Sequence, residues 1–228
     1  MDTDGHEEIP LTEAATVRGG RGWVAIPLRL ALTSSMATAT APSPLERPKP
    51  RRLWTYAEMC AEFEETNLPV ELWDGEIIMS PAPKPTHQTA VLSFARRLAE
   101  FTERPVLGRV FAAPLDVVLG PRRVVQPDVL FIARDRTAII GDHIAGAPDL
   151  VAEVISPGSW RRDRVDKKAL YEQAGVKEYW ILDPDAQTIE VFSLVKGAFH
   201  LHSRAEETES ARSKLLPGFK VSFNELAV

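Results

Sequence analysis

The chain has 228 residues, with 27 Lys and Arg against 32 Asp and Glu. This length is sufficient for one domain with a sizeable core plus a tail. The mildly acidic balance argues against a protein that coats nucleic acid by bulk charge, because such domains are usually strongly basic. Cys60 is the single cysteine, which excludes an internal disulfide and fits a reducing cytoplasm. No stretch approaches the roughly 20 apolar residues of a membrane span, so we expect a cytoplasmic protein without a membrane partner.

Residues 1–50 lack the sustained apolar periodicity of a packed segment. They include the runs VRGGRG and SSMATATAPSP and the start of the Pro- and Arg-rich run ERPKPRR, all poor material for a core. The apolar run WVAIPLRLALTSS is interrupted by Pro27 and Arg29 and follows an acidic segment, which argues against an export signal. We therefore predict a disordered extension over residues 1–50 and one folded domain over residues 51–228. A start of translation at Met36 is an alternative.

The folded domain is predicted to open with a helix and a hairpin. Thr55 and Glu58 have the spacing of a capping box, which predicts a helix through about Glu65. The run VELWDGEIIM over residues 70–79 predicts a hairpin with Asp74-Gly75 at its turn.

Apolar residues spaced three and four apart predict a second helix from about Thr86 to Phe101. The elements predicted after it are strands over residues 110–119, 124–132 and 149–156, a helix over about 162–174, and strands over 178–183 and 188–195. This order predicts an α/β fold in which a mixed β-sheet is flanked by helices.

Two carboxylates interrupt apolar strands, Asp128 in VVQPDVLFI and Glu153 in DLVAEVIS. A buried charge is costly unless something compensates it, and a divalent cation commonly compensates two convergent carboxylates. The pair therefore predicts a metal site. Asp128 follows Pro127, where an aspartate often only accepts backbone hydrogen bonds, but its pairing with Glu153 favours the metal.

Lysine placement on the helix after Glu153 extends this prediction. Lys167, Leu170 and Tyr171 share one helical face, whereas Lys168 is rotated about 100° away toward solvent. Lys167 could therefore reach the metal site and orient water or offset negative charge on phosphorus. The alternative is an amphipathic stem with its amine in water.

Other polar residues have weaker signals. Arg161, Arg162 and Arg164 form a basic group that we expect to contact phosphates. Asp116 is expected to have a cross-strand partner such as an arginine. For His87, hydrogen bonding at a helix start is favoured over a role as general base, and the scattered histidines make a zinc site improbable.

Several of these motifs occur together in a known family. The run GAPDLVAEVISPGSWRRDRVDKKALYEQAGVKEYWILDPDAQTIEVF, with VVQPDVLF and ELWDGEIIMSPAP before it, resembles the Uma-two family of proposed restriction endonucleases. This family is a branch of the PD-(D/E)XK nuclease superfamily, and the resemblance covers roughly residues 53–226. It implies a restriction endonuclease-like fold with additional β-hairpins and Mg²⁺- or Mn²⁺-dependent phosphodiester cleavage.

The resemblance also assigns roles to particular residues. Asp128 matches the aspartate of the superfamily's "PD" motif, and Glu153 matches its second acid. Ile155 stands where the superfamily has a lysine, and that role is expected to pass to Lys167. Glu71 matches an acidic position on the first strand, where it would complete the metal shell or hold a second metal.

The resemblance further implies a mechanism and partners. Asp128 and Glu153 would hold the cation with the backbone carbonyl of Val154 or Ile155, while Lys167 stabilises the developing charge. We expect DNA as the substrate. Cleavage of both strands needs two sites, so a homodimer is expected.

Two alternatives remain open at the level of the sequence. The replacement of the strand lysine by Ile155 and the acidic composition would suit a non-catalytic dimeric interaction or regulatory module on the same fold. A metal-dependent hydrolase of small phosphoesters would use the same acids without the arginine-rich segment.

Overall fold

The computed structural model describes residues 16–19, 22–25, 52–63, 70–156 and 162–226. The chain forms two compact units, residues 1–49 and residues 50–228. The described part of the first unit is an antiparallel hairpin of β1 (Thr16–Gly19) and β2 (Gly22–Ala25). The other residues of the predicted disordered extension lie outside the described part of the chain.

The second unit contains three described α-helices, which are α1 (Tyr56–Glu62), α2 (Pro85–Glu103) and α3 (Lys168–Ala174). A π-helical segment, Arg162–Lys167, leads directly into α3. The strands are β3 (Val70–Trp73), β4 (Glu76–Met79), β5 (Gly108–Ala112), β6 (Val117–Gly120), β7 (Arg123–Val125), β8 (Val129–Ala133), β9 (Ile144–Ala145), β10 (Leu150–Val154), β11 (Glu178–Asp183), β12 (Thr188–Val195), β13 (Ala198–Glu206), β14 (Ser210–Arg212) and β15 (Lys220–Ser222). No helix in these described residues is long and apolar enough to cross a membrane.

Two sheets make up most of this unit. The large sheet has the strand order β13-β12-β11-β10-β8-β5, in which β10 and β11 are parallel and the other neighbours are antiparallel. The small sheet has the order β4-β3-β7-β6-β9. A short hairpin of β14 and β15 completes the pairing. The prediction of a mixed sheet with additional hairpins and flanking helices is confirmed.

The large sheet is covered on both faces. Ala152 and Val154 of β10 belong to the core cluster that includes Phe94 and Leu98 of α2, whereas Val151 belongs to the cluster that contains residues of α3. Because side chains alternate along a strand, Glu153 lies on the α3 side together with Val151. This alternation directs the carboxylate of Glu153 toward the helix that carries Lys167.

The predicted strands over residues 110–119 and 124–132 are wrong as continuous elements. Each one breaks near a proline, at Pro114 and at Pro127, and its two parts join different sheets. Proline has no backbone N–H to donate to a sheet ladder, which favours such an interruption. Asp128 therefore lies in the connection before β8, between the two sheets, and not within a strand.

Other local predictions hold. Thr55 and Glu58 form the capping box of α1, although the helix ends at Glu62 and not at about Glu65. Asp74 and Gly75 form the β3–β4 turn with φ angles of 50° and 89°, the left-handed region that a two-residue hairpin turn requires. The helix predicted over about 162–174 is correct in position, but its first six residues are π-helical.

Candidate active site

Three carboxylates from two sheets approach one lysine. Glu153 lies in β10 of the large sheet and Glu71 lies in β3 of the small sheet, and their side chains are only 3% and 4% exposed. Asp128 lies just before β8 and is more accessible, with 17% of its side chain exposed. Acids that are far apart in the sequence thus lie close together where the two sheets meet.

Lys167 connects two of these acids. Its Nζ lies 2.9 Å from Oε1 of Glu153 and 3.2 Å from Oε1 of Glu71, and the side chain is buried. The predicted helical phase is therefore correct for Lys167, and its buried amine contacts two carboxylates. Lys168 is half-buried, and its amine lies 3.6 Å from the centroid of the Phe192 ring.

Each carboxylate makes its described contacts through one oxygen. Oε1 of Glu153 accepts hydrogen bonds from Lys167 and from the hydroxyl of Tyr171, at 2.9 and 2.6 Å. Oε1 of Glu71 accepts the backbone N–H of Gln126 at 2.9 Å, whereas its buried Oε2 has no hydrogen-bond partner among the described residues. Oδ2 of Asp128 accepts the backbone N–H of Val154 at 2.8 Å. These contacts orient each acid through one oxygen, and among the described residues Oε2 of Glu71 is left without a hydrogen-bond partner.

Burial and mutual repulsion govern the charges of this cluster. Burial raises the pKa of Glu153 well above its ordinary value, and the neighbouring Asp128, Asp163 and Glu71 raise it further against the opposing effect of Lys167. Burial disfavours the ammonium of Lys167, but Glu153 and Glu71 outweigh this effect and raise its pKa. The pKa values of Glu153 and Lys167 can both be raised because the single ammonium lies among several carboxylates. The cluster accordingly favours an additional positive charge.

His87 was expected to make hydrogen bonds at a helix start, but its contact with Asp128 was not predicted. It lies in the first turn of α2, and its Nε2 is 3.3 Å from Oδ2 of Asp128. Burial lowers the pKa of His87, but the hydrogen bond and charge of Asp128 outweigh burial, so the pKa is raised. Its position after a Pro-rich loop gave no signal of this contact, which depends on how α2 packs against the large sheet.

Gln126 links the site to Asp116, a half-buried carboxylate outside the cluster. Its side-chain Nε2 donates to Oδ1 of Asp116 at 2.8 Å, and the hydroxyl of Tyr56 donates to Oδ2 of Asp116 at 2.9 Å. Asp116 therefore has the expected cross-strand partner, but this partner is Gln126, which follows the paired residue Val125, and not an arginine. These contacts connect Asp116 to Gln126, which lies two residues before Asp128.

The three predicted phosphate-binding arginines have different surroundings. Arg161 lies outside the described residues. Arg162 is half-buried, and its Nη1 donates to the hydroxyl of Ser80 at 3.0 Å. Arg164 forms ion pairs with Glu190 and Asp183, so a phosphate would compete with two carboxylates for its guanidinium.

Ile155 directly follows the last residue of β10. Its side chain is buried in the cluster with Val151 and Leu170, and its backbone N–H donates to the carbonyl of Leu182 at 2.7 Å. The apolar side chain cannot donate a proton or carry charge. The ammonium near Glu153 comes instead from Lys167.

The oxygen ligands of this cluster suit a hydrated divalent cation. In the described part of the chain, no group of three or more His, Cys, Asp or Glu side chains is arranged to hold a metal ion. Mg²⁺, however, usually keeps several waters and needs only one or two protein carboxylates. The unpartnered Oε2 of Glu71 and the acid excess around Glu153 fit such a cation.

The mixed sheet and its flanking helices form a nuclease-like fold. The structure is similar to the crystal structure of a "putative nuclease" from Anabaena variabilis, with a TM-score of 0.65 and 20% identity, covering 75% of this chain and 96% of that chain. At this identity the similarity shows the fold. No curated protein matches the chain.

The sequence also matches the Uma2 (Uma-two) family over residues 54–227, a family described as "Putative restriction endonuclease". Because the match covers most of the chain, the protein belongs to this family. The resemblance noted from the motifs is thereby confirmed, as is the expected nuclease-like fold.

Proposed function

We propose that the protein is an endonuclease that hydrolyses phosphodiester bonds in DNA with Mg²⁺ or Mn²⁺ as its cofactor. The observation that carries this proposal is the orientation of Asp128, Glu153 and Glu71, each held through one oxygen near a buried lysine. Oxygen ligands on preoriented carboxylates suit a hard divalent cation. Membership of the Uma2 family supports the same activity.

Asp128 and Glu153 are the proposed metal ligands, together with the backbone carbonyl of Val154 or Ile155. Glu71 would complete the ligand set or contribute to a second metal through its unpartnered Oε2. A bound divalent cation would lower the pKa of a coordinated water and offset charge on the non-bridging phosphate oxygens.

Lys167 is the proposed donor to the reacting phosphate or to the attacking water. Its ammonium stays charged because Glu153 and Glu71 raise its pKa. A positive donor in a buried site stabilises negative charge that develops in the transition state. Lys167 would thus perform the task of the strand lysine that Ile155 replaces.

Substrate contacts are proposed for the arginine-rich segment after β10. Arg161 and Arg162 would contact flanking phosphates, and Arg164 would do so on release from Glu190 and Asp183. A homodimer in the cytoplasm would place two sites on a duplex, which cleavage of both strands requires.

The direct test is cleavage of supercoiled plasmid, single-stranded DNA and RNA, each with and without Mg²⁺ or Mn²⁺. We expect metal-dependent cleavage of DNA by the wild type. Asp128→Asn and Glu153→Gln should each reduce it by about two orders of magnitude or more, because each removes a charged ligand. Asp185→Asn, which changes an exposed acid in the β11–β12 turn, should retain full activity.

Metal binding is tested separately by thermal unfolding. Mg²⁺ or Mn²⁺ should raise the melting temperature of the wild type by binding the native state, and both acid variants should lose most of that gain. Equal stabilisation of the wild type and both variants would overturn the ligand assignment. A wild type that binds metal but cleaves no nucleic acid would favour the interaction module.

A further inference from the structure

Tyr171 and Lys167 donate hydrogen bonds to the same residue, Glu153. The two side chains converge on a single atom, Oε1 of Glu153, at 2.6 Å from the tyrosine hydroxyl and 2.9 Å from the lysine amine. All described hydrogen bonds of Glu153 end on this oxygen. Two donors on one oxygen fix the rotation of the carboxylate and direct its other oxygen, Oε2, away from them.

The position of the Tyr171 hydroxyl is itself well determined. Lys167 and Tyr171 are four residues apart and therefore lie on the same face of the helical segment. The side chain of Tyr171 is fully buried, and its ring centroid lies 5.2 Å from that of Tyr179. This packing restricts the ring of Tyr171 and therefore the position of its hydroxyl next to Glu153.

The two donors are chemically different. The ammonium of Lys167 is shared with Glu71 and is the proposed donor to the reacting groups, so it cannot be committed to Glu153 alone. The phenol of Tyr171 carries no charge when protonated, and its hydroxyl donates to Oε1 of Glu153. A neutral donor can orient a carboxylate without neutralising it.

We propose that Tyr171 is a positioning residue for Glu153: its hydroxyl holds Oε1 so that Oε2 remains directed toward the cation. This inference rests on the proposed function, because it assigns a supporting partner to one of the proposed metal ligands. Partners that orient ligating carboxylates typically change metal affinity about 10- to 100-fold when they are removed.

Tyr171→Phe removes the hydroxyl and keeps the ring. Isothermal titration with Mn²⁺ should give an affinity about tenfold or more weaker than that of the wild type. The matched control is Tyr179→Phe, because Tyr179 is also fully buried but donates to the backbone carbonyl of Asp163, at 2.9 Å. Both variants should lose similar thermal stability in EDTA, while only Tyr171→Phe should lose metal affinity.

A second measurement keeps the inference testable if Tyr171→Phe does not fold. The chain has three tyrosines, so 3-fluorotyrosine labelling gives three ¹⁹F resonances that Tyr56→Phe and Tyr179→Phe assign. Addition of Mg²⁺ should shift the resonance of Tyr171 and leave that of Tyr56, which donates to Asp116, in place.

The outcomes separate the two proposals. Unchanged Mn²⁺ affinity in a folded Tyr171→Phe, an equal loss in Tyr179→Phe, or an unshifted Tyr171 resonance would overturn the positioning role and leave the proposed function intact. A wild type that binds neither Mg²⁺ nor Mn²⁺ would overturn both.

Discussion

Lys167 Nζ lies 2.9 Å from Oε1 of Glu153 within a buried cluster, whereas the adjacent Lys168 is directed to the Phe192 ring. Lys167→Met should reduce metal-dependent cleavage by about two orders of magnitude or more, because it removes a transition-state donor. Metal binding should persist, since the proposed ligands remain. Single-turnover cleavage and Mn²⁺ titration of the same preparations measure the two effects.

Lys168→Met is the matched control for that prediction. It should leave the rate of the chemical step nearly unchanged, although it can weaken DNA binding in a salt-dependent way. A larger loss of cleavage in Lys168→Met than in Lys167→Met would show that the assignment of the donor is wrong.

Asp149 should make the fold sensitive to acid. Its buried carboxylate lies 2.7 Å from Lys177 Nζ and 3.0 Å from Arg136 Nη1, and it accepts the N–H of Ala133. Burial raises its pKa, but these three partners outweigh burial and the pKa is lowered. The stabilisation is therefore present above the unfolded-state pKa of about 3.9 and is lost as pH falls through the lower folded-state value.

Urea denaturation at several pH values checks this prediction. Asp149→Asn should destabilise the protein by about 3 kcal/mol at pH 7, because it leaves two cations without their buried partner. The difference from the wild type should shrink below about pH 4 as the wild-type carboxyl becomes protonated. Asp135→Asn, an exposed acid nearby, should show neither effect; a constant difference at all pH values would contradict the assignment.

Gly108 is required by close strand packing. A Cβ at this position would lie 2.1 Å from the carbonyl oxygen of Ile132 and 2.7 Å from the Phe131 ring. Gly108→Ala should therefore displace β5 from β8 and destabilise the protein by about 2 kcal/mol or more. Gly120→Ala is the control, since its Cβ would have no neighbour within 4 Å among the described residues. Thermal melts of both variants suffice, and equal melting temperatures would refute the packing argument.

Removal of residues 1–50 should leave the melting temperature within a few degrees of that of the full chain. The prediction follows from their Pro, Gly and Ala bias, which is unsuited to a core. Differential scanning calorimetry of the two proteins measures it. A fall of many degrees would mean that this segment stabilises the folded domain.

Local patterns were sufficient to predict that Glu153 and Lys167 lie close together. The charged residue in an apolar strand identified Glu153, and helical phase identified Lys167 as the lysine that faces it. Both signals depend on short-range periodicity, which the sequence displays directly. The family resemblance added Glu71, whose own context in a hairpin gave no indication that it is buried.

The contacts that were missed depend on long-range packing. His87 reaches Asp128 because α2 packs across the large sheet, and no spacing in the chain indicates that contact. The division of the predicted strands between two sheets was also missed, although Pro114 and Pro127 marked the positions of both breaks. Strand partners are chosen by global packing, which a local hydrophobic pattern does not specify.

The hydrogen bond from the backbone N–H of Gln126 to Oε1 of Glu71 connects the two sheets beside the proposed site. Gln126 lies two residues before Asp128, and Asp128 directly precedes β8 of the large sheet. A residue of the small sheet, Glu71, therefore holds the backbone next to Asp128. A movement of the β3–β4 hairpin would therefore change the separation of the proposed ligands, and a ligand that draws the acids together would stiffen the hairpin in return. Hydrogen exchange at the backbone N–H of Gln126, with and without Mg²⁺, would therefore report on the contact between the two sheets.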